Sequence, residues 1–307
     1  MADFLIVAKQ VAILFVLIGA GALCRRVSLI DSASVRGMVN LLIYVVTPAL
    51  IVDVFQRPFD AALLGQFGLA FVIAVACHLL LIGVSRLTAH GDERTLPVLR
   101  LATVFSNAGF MGLPLEQAVL GEDGVFFGIV YVATFNLFIW SWGLRTMRGT
   151  EGGFSRTSLV NPGTVGLAVG LALFLTSFRL PAALHEPVHL MAGLNTPLAM
   201  VVIGYYLAGA DLRGVLRSAE AYTAAFVRLV AFPLALVAAL WALRGWLDRT
   251  MSLAMVTAAA APVAAMVSMF AAKYGRDVDA SVGLVSGTTL LSVVTMPSVI
   301  AVAMAAL

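Results

Sequence analysis

The sequence predicts an all-α polytopic membrane protein: ten transmembrane helices in an inverted five-plus-five repeat, with helices four and nine broken and crossing. Three observations predict it. First, 61% of the 307 residues are hydrophobic and 11% are charged, with a mean hydropathy of +1.02. A soluble domain carries roughly 25% charged residues, so this chain has too few to cover a water-facing surface and its solvent is lipid. Second, the apolar residues come in continuous runs of about 20, rich in Ala, Leu, Gly and Val, where a β-barrel would alternate polar with apolar. Third, the runs match across the two halves of the chain, and in each half one run is interrupted by proline.

Taken in order, the runs fall at about 4–24, 37–55, 62–86, 97–120, 123–145, 163–178, 190–210, 219–243, 251–273 and 280–304, each long enough or nearly so to cross a bilayer. The first is too long for a signal peptide and lacks a basic start, so it is read as a true span. Short polar stretches such as "RPFD", "RLTAHGDER" and "RLPAALHEPVH" join the runs. The loops after odd-numbered runs hold twelve Lys and Arg, and the other side holds five. Arg100 and Arg228 lie inside runs and are set aside. The positive-inside rule then puts the odd loops in the cytoplasm and both termini outside. The net charge of +3 resides in these loops and gives no reason to expect nucleic acid as a partner.

The halves correspond. "VVTPALIV" (45–52) and "LNTPLAMV" (194–201) lie 149 residues apart, aligning Thr47-Pro48 with Thr196-Pro197. "NAGFMGLPLEQAVLG" (107–121) faces "APVAAMVSMFAAKYG" (261–275) in the same way. Five spans per half is odd, so the second half inserts upside down, a secondary-transporter pattern. Pro48 and Pro197 are the symmetry-related helix-breaking positions outside the broken pair.

The broken spans carry the candidate site. Proline in a helix interior costs about 3 kcal/mol and glycine about 1 kcal/mol relative to alanine, and freed backbone groups find no water in hydrocarbon. Gly109, Gly112 and Pro114 within six residues make sense only where the backbone faces a cavity inside protein. A half-helix starting near Pro114 would offer free N–H groups and about half a positive charge, which suits an anion. Asn107 adds a side-chain donor and acceptor. In span nine the break falls near Pro262, with Val263, Ala264 and Ser268 around it. Glu116 is an acid inside a span, either a coupling site or a helix-start acid favoured by the dipole. Asp53 is a second coupling candidate, and Lys9 a weaker one within snorkelling reach of an interface.

Other chemistry is excluded or set aside. "HEPVH" (185–189) matches the zinc protease pattern H-E-x-x-H. Pro187 is expected to leave His185 ahead of the helix rather than on one face with His189, and no third ligand is near, so no metal site is assigned. Cys24 and Cys77 read as free thiols, not a disulfide framework. No nucleotide-binding loop is present, which argues against ATP-driven pumping. His78 reads as a core histidine. Tyr205, Tyr206, Trp140, Trp142, Trp241 and Trp246 read as interface anchors.

"NAGFMGLPLEQAVLG" resembles the Asn-x-Gly-Phe-x-Gly-x-Pro-Leu segment of the auxin efflux carrier family, which includes plant auxin exporters and bacterial permeases for malate or malonate. "NPGTVGLAVGLAL" (161–173), "LNTPLAMVVIGYYLAGADL" (194–212) and residues 261–300 resemble that family in the same order. The resemblance implies scaffold helices one and two (1–56) and six and seven (151–212). It implies a moving transport domain of helices three to five (57–150) and eight to ten (213–307), crossing at their broken centres. It also implies elevator-type transport and a homodimer through the scaffold, with Asn107 and Pro114 at the substrate site and crossover, and Pro262 as a motif proline. Plant members resemble Pro-x-x-x-x-Pro in span nine, and here the second position is Val267. The loop at 145–162 is short, as in bacterial relatives.

The expected function is a secondary carrier of small organic anions, carboxylates such as malate, malonate or auxin-like acids, in a bacterial inner membrane. No cofactor is expected, and coupling to H⁺ or Na⁺ stays open. The alternatives are a sodium-coupled symporter of the bile acid type and a membrane sensor that transports nothing.

Overall fold

The computed structural model describes residues 2–149, 162–209 and 219–307. Its helices are α1 (Ala2–Arg26), α2 (Ser32–Val54), α3 (Ala61–Thr88), α4 (Leu96–Val104), α5 (Ala108–Arg148), α6 (Pro162–Leu175), α7 (Ala182–Ala208), α8 (Ala219–Ala242), α9 (Arg249–Ala260), α10 (Met266–Lys273) and α11 (Val278–Ala306). Among the described residues no strand forms, and one isolated antiparallel bridge joins Ser106 to Val263. Six helices, α2, α3, α5, α7, α8 and α11, are long and apolar enough to cross a membrane. The expected borders at 150/151 and 212/213, and the loop residues Arg156, Arg213 and Arg217, lie outside the described residues.

Aspartates start four helices. Asp31, Asp60, Asp248 and Asp277 each accept a backbone N–H from the first turn of α2, α3, α9 and α11, which satisfies donors that have no partner inside the helix. Asp31 therefore starts α2 at Ser32, five residues before the expected run. Likewise α7 starts at Ala182, where a loop up to residue 189 was expected. The carbonyl of Pro181 accepts the N–H groups of Leu184 and His185 and closes that first turn.

Three prolines sit inside helices behind a widened turn. Residues Leu42–Val46, Ala108–Gly112 and Val227–Ala231 form π turns, followed by Thr47-Pro48, Leu113-Pro114 and Phe232-Pro233. The residue before each proline donates to the carbonyl five back: Thr47 to Leu42, Leu113 to Ala108, Phe232 to Val227. A proline ring collides with the carbonyl four residues earlier, and widening the turn moves that carbonyl away. These helices continue through their prolines.

α5 is a hairpin. Gly121 has φ 70° and ψ −158°, a backbone conformation that an L side chain avoids. A Cβ placed on Gly128 would lie 1.6 Å from Oε2 of Glu116. Twelve residues along a straight helix would separate them by about 18 Å, so the chain turns back at Gly121.

The core is built by close backbone approach. A Cβ on Gly21 would sit 2.1 Å from the carbonyl oxygen of Val201, and one on Gly204 1.9 Å from that of Ile18. α1 and α7 therefore cross at a pair of facing glycines, the close packing that lipid-embedded helices use. Arg25 at the end of α1 donates to the carbonyl of Tyr205 at 3.0 Å and lies over its ring. Tyr205 is thus buried rather than an interface anchor, while Tyr206 stays exposed. α2 packs on α6 and α7, and α9 packs on α5 and α11. His78 is a core residue, fully buried, with its Nδ1 2.8 Å from the carbonyl of Ala74 and its ring stacked on Phe138. Cys24 and Cys77 are free thiols.

Candidate functional site

The gap between α4 and α5 (105–107) and the gap between α9 and α10 (261–265) run past each other in opposite directions. The amide of Asn107 donates to the carbonyl of Pro262 at 2.6 Å, and the amide of Ala264 donates to the carbonyl of Phe105 at 3.0 Å. Between them lies the Ser106–Val263 bridge. The amide of Val263 donates to Oγ1 of Thr288 on α11 at 3.1 Å. The local sequence allows this. Ala261 is extended (φ −63°, ψ 148°), as a residue before proline prefers, and Phe105 is extended too (φ −101°, ψ 109°). The two short extended segments satisfy each other's backbone where neither helix can.

Four helix ends thus meet. α5 and α10 begin at the crossing with first-turn N–H groups that have no partner inside their helices, and α4 and α9 end there. By the helix dipole, the starts are positive and the ends negative. The negative ends already have a cation. Arg228, on the widened turn of α8, is fully buried. Its Nη1 donates to the carbonyls of Val104 at 3.1 Å and Thr103 at 3.5 Å, and its Nη2 donates to the carbonyl of Ala259. Sequence reasoning set Arg228 aside because it lies inside a span. The signal was there: an arginine in the apolar run "AFVRLVAFPLALVA" needs buried partners, and backbone carbonyls supply them here.

The structure brings Asn107, Pro262, Val263 and Ala264 together, all buried. Gly109 and Ser268 are partly exposed. A Cβ on Gly109 would meet nothing within 4 Å, so space adjoins the start of α5, and the hydroxyl of Ser268 has no partner. Gly112 faces inward instead, with its missing Cβ 3.5 Å from Cα of Ala258 on α9. Pro114 does not start the half-helix as expected. α5 begins at Ala108, six residues earlier, because the widened turn accommodates the proline and the extended residues 105–107 make the break.

Glu116 is fully buried, and neither carboxyl oxygen has a hydrogen-bond partner. It lies in the bend of the α5 hairpin between Gly112 and Gly128. Asp53, at the end of α2, is part of a different cluster. Its Oδ1 is 2.9 Å from Nε2 of His185 and its Oδ2 3.0 Å from Nδ1 of His189. Both histidines lie on α7, one turn apart on the same face. Pro187 thus does not hold His185 off the helix, contrary to expectation; it removes one N–H inside a helix that already started at Ala182. Among the described residues no group of three or more His, Cys, Asp and Glu side chains could hold a metal ion. Pro48 lies against Gly166 of α6, and Pro197 is in the second half of α7; neither is among the residues paired at the crossing.

A family model described as membrane transport protein matches residues 6–158 and 153–300. The chain belongs to that family, the auxin efflux carriers. No curated protein matches the chain. Membership in a family of transporters, together with six long apolar helices, makes the chain an integral membrane protein. For an auxin efflux carrier, the crossing of interrupted helices is the feature that needs a purpose. Lipid-facing helices gain nothing from two breaks, whereas a binding site inside protein gains polarised backbone.

Proposed function

We propose that this auxin efflux carrier family member is a secondary carrier of small organic anions, carboxylates such as malate, malonate or auxin-like acids, bound at the crossing. One observation carries the reading. Two positive helix starts converge beside open space at Gly109, while the two negative ends are neutralised by Arg228. What remains uncompensated is positive, and a carboxylate complements it. Asn107 and Ser268 supply the polar side chains at this point.

The proposed topology counts α4 with the first arm of α5 as one span, the second arm of α5 as another, and α9 with α10 as a third. With α1, α2, α3, α6, α7, α8 and α11 this makes ten spans in an inverted repeat, both termini outside, in a bacterial plasma membrane. α1, α2, α6 and α7 would form the scaffold and dimerise. The remaining helices would move against it as an elevator. Support comes from the seam between the two groups, where Met111, Met200 and Met296 line a cavity of about 20 Å³ with Leu14 and Leu115. Methionine side chains re-pack at low cost.

The test is uptake or binding of labelled carboxylates with Asn107→Ala and Pro114→Ala. Both variants are expected to lose most of the transport, and wild-type transport by both overturns the site. In the same assay run across pH, Glu116→Gln separates the two roles of Glu116. A coupling acid predicts a flattened pH profile, and an unchanged profile removes that role.

A further inference from the structure

Away from the crossing, three arginines share one recess. Arg86 in the last turn of α3, Arg100 in the second turn of α4 and Arg145 in the last turn of α5 line it, with Trp142 and Thr146. The recess holds about 410 Å³. No carboxylate pairs with any of these arginines among the described residues, whose ion pairs are Arg57–Asp123 and the two histidines on Asp53. The nearby acid Asp92 is turned to its own loop and accepts the amides of Arg94 and Thr95. Nε of Arg100 is shielded from solvent and has no hydrogen-bond partner. A buried donor without a partner is costly, and three like charges around one space repel. An anion in the recess relieves both.

We propose that this recess binds a phosphate ester. Three guanidinium groups present more donors than one carboxylate has acceptors, and planar guanidinium pairs with phosphate oxygens two at a time. The place fits as well. α3 has 28 residues, about 42 Å of helix, so its last turn reaches past a hydrocarbon core of about 30 Å to the depth of headgroups. Leu79, Leu80 and Leu87 on the same helix are exposed, as a surface beside acyl chains would be. Basic pockets between spanning helices hold anionic headgroups in this way. A bound phosphate ties together the ends of α3, α4 and α5, and α4 and α5 flank the first break. The ester is either a phospholipid headgroup or a soluble phosphate, and both present the same oxygens.

The experiment measures binding, not transport, on the full chain. One arm reconstitutes the protein in phosphatidylcholine with and without phosphatidylglycerol and counts retained lipid by native mass spectrometry. The other follows thermal unfolding in detergent with inorganic phosphate, against chloride at equal ionic strength. The variants are Arg86→Gln with Arg145→Gln, both at exposed positions where folding is not at stake, and Arg100→Lys, which keeps the charge. Arg244→Gln, exposed and outside the recess, is the control. Phosphatidylglycerol binding should weaken at least tenfold in the double variant and less in Arg100→Lys, which assigns the headgroup. The same loss confined to inorganic phosphate assigns the soluble source. Equal binding of both ligands by wild type and double variant, or an equal loss in Arg244→Gln, overturns the proposal.

Discussion

At the scale of single residues, Arg228 sets the electrostatics of the crossing. It donates to carbonyls at the ends of both α4 and α9, and the titratable side chains in its surroundings, Tyr131 and Cys77, are neutral at their ordinary values. Removing the guanidinium leaves buried carbonyls without donors, at about 1–3 kcal/mol per group. Arg228→Met should therefore unfold at lower temperature, and Arg228→Lys should recover part of the loss. A merely structural role ends there. A fixed cation predicts more: wild-type anion binding is indifferent to sodium, while Arg228→Met binds better as guanidinium or sodium ions are added. Sodium-dependent binding by the wild type would remove this role and favour the sodium-coupled alternative. The residues that break the spans were legible because proline, glycine and asparagine announce themselves in an apolar run. For Arg228 the run announced a need for buried partners but not which ones, since these are main-chain oxygens of α4, more than 120 residues away, and of α9, 31 residues away, and main-chain oxygens carry no sequence signal.

At the scale of elements, an all-helical chain with long apolar helices was legible from hydropathy, six of them long enough to cross a membrane among the described residues, and the joints were not. Pro114 was expected to start a half-helix and instead sits behind a π turn, as do Pro48 and Pro233. A periodicity argument assumes 3.6 residues per turn and has no way to anticipate a local widening. "HEPVH" misled for a related reason, because a proline penalty of one hydrogen bond does not move a helix start fixed by the Pro181 carbonyl. Contact between helices was equally invisible, and glycine shows why. Gly19 and Gly204 look alike in sequence, yet a Cβ on Gly19 meets nothing within 4 Å, and one on Gly204 would lie 1.9 Å from the Ile18 carbonyl oxygen. Backbone cannot move aside as a flexible side chain can. Gly204→Ala should cost about 1–3 kcal/mol, typical of overpacking. Gly19→Ala should be neutral or stabilise by up to about 1 kcal/mol, the helix propensity difference. Thermal unfolding of the two variants reads the contrast, and equal melting temperatures would mean that α1 and α7 do not cross at this point.

At the scale of the whole molecule, the question is what moves. The crossing joins α4, α5, α9 and α10 through backbone hydrogen bonds, with Arg228 of α8 donating into the same knot and Thr288 of α11 accepting from it. Such a unit holds together by directional bonds that resist shear. α1 and α7 meet it differently, through apolar and methionine side chains around the small cavity at Met111, Met200 and Met296. Dispersion contacts are individually weak and non-directional, so sliding exchanges one set for another, whereas opening the crossing would strand backbone groups in hydrocarbon. The knot should therefore move as a body against α1 and α7. Replacing Cys24 and Cys77 by alanine and placing Met111→Cys with Met200→Cys puts one thiol on each side of the seam, at positions that line the same cavity. Oxidative or short bifunctional cross-linking should stop uptake while leaving anion binding intact, and cleavage of the cross-link should restore uptake. Full uptake by the quantitatively cross-linked protein would mean that access changes within the knot itself. The elevator reading would then give way to a gate at the broken ends of α5 and α10.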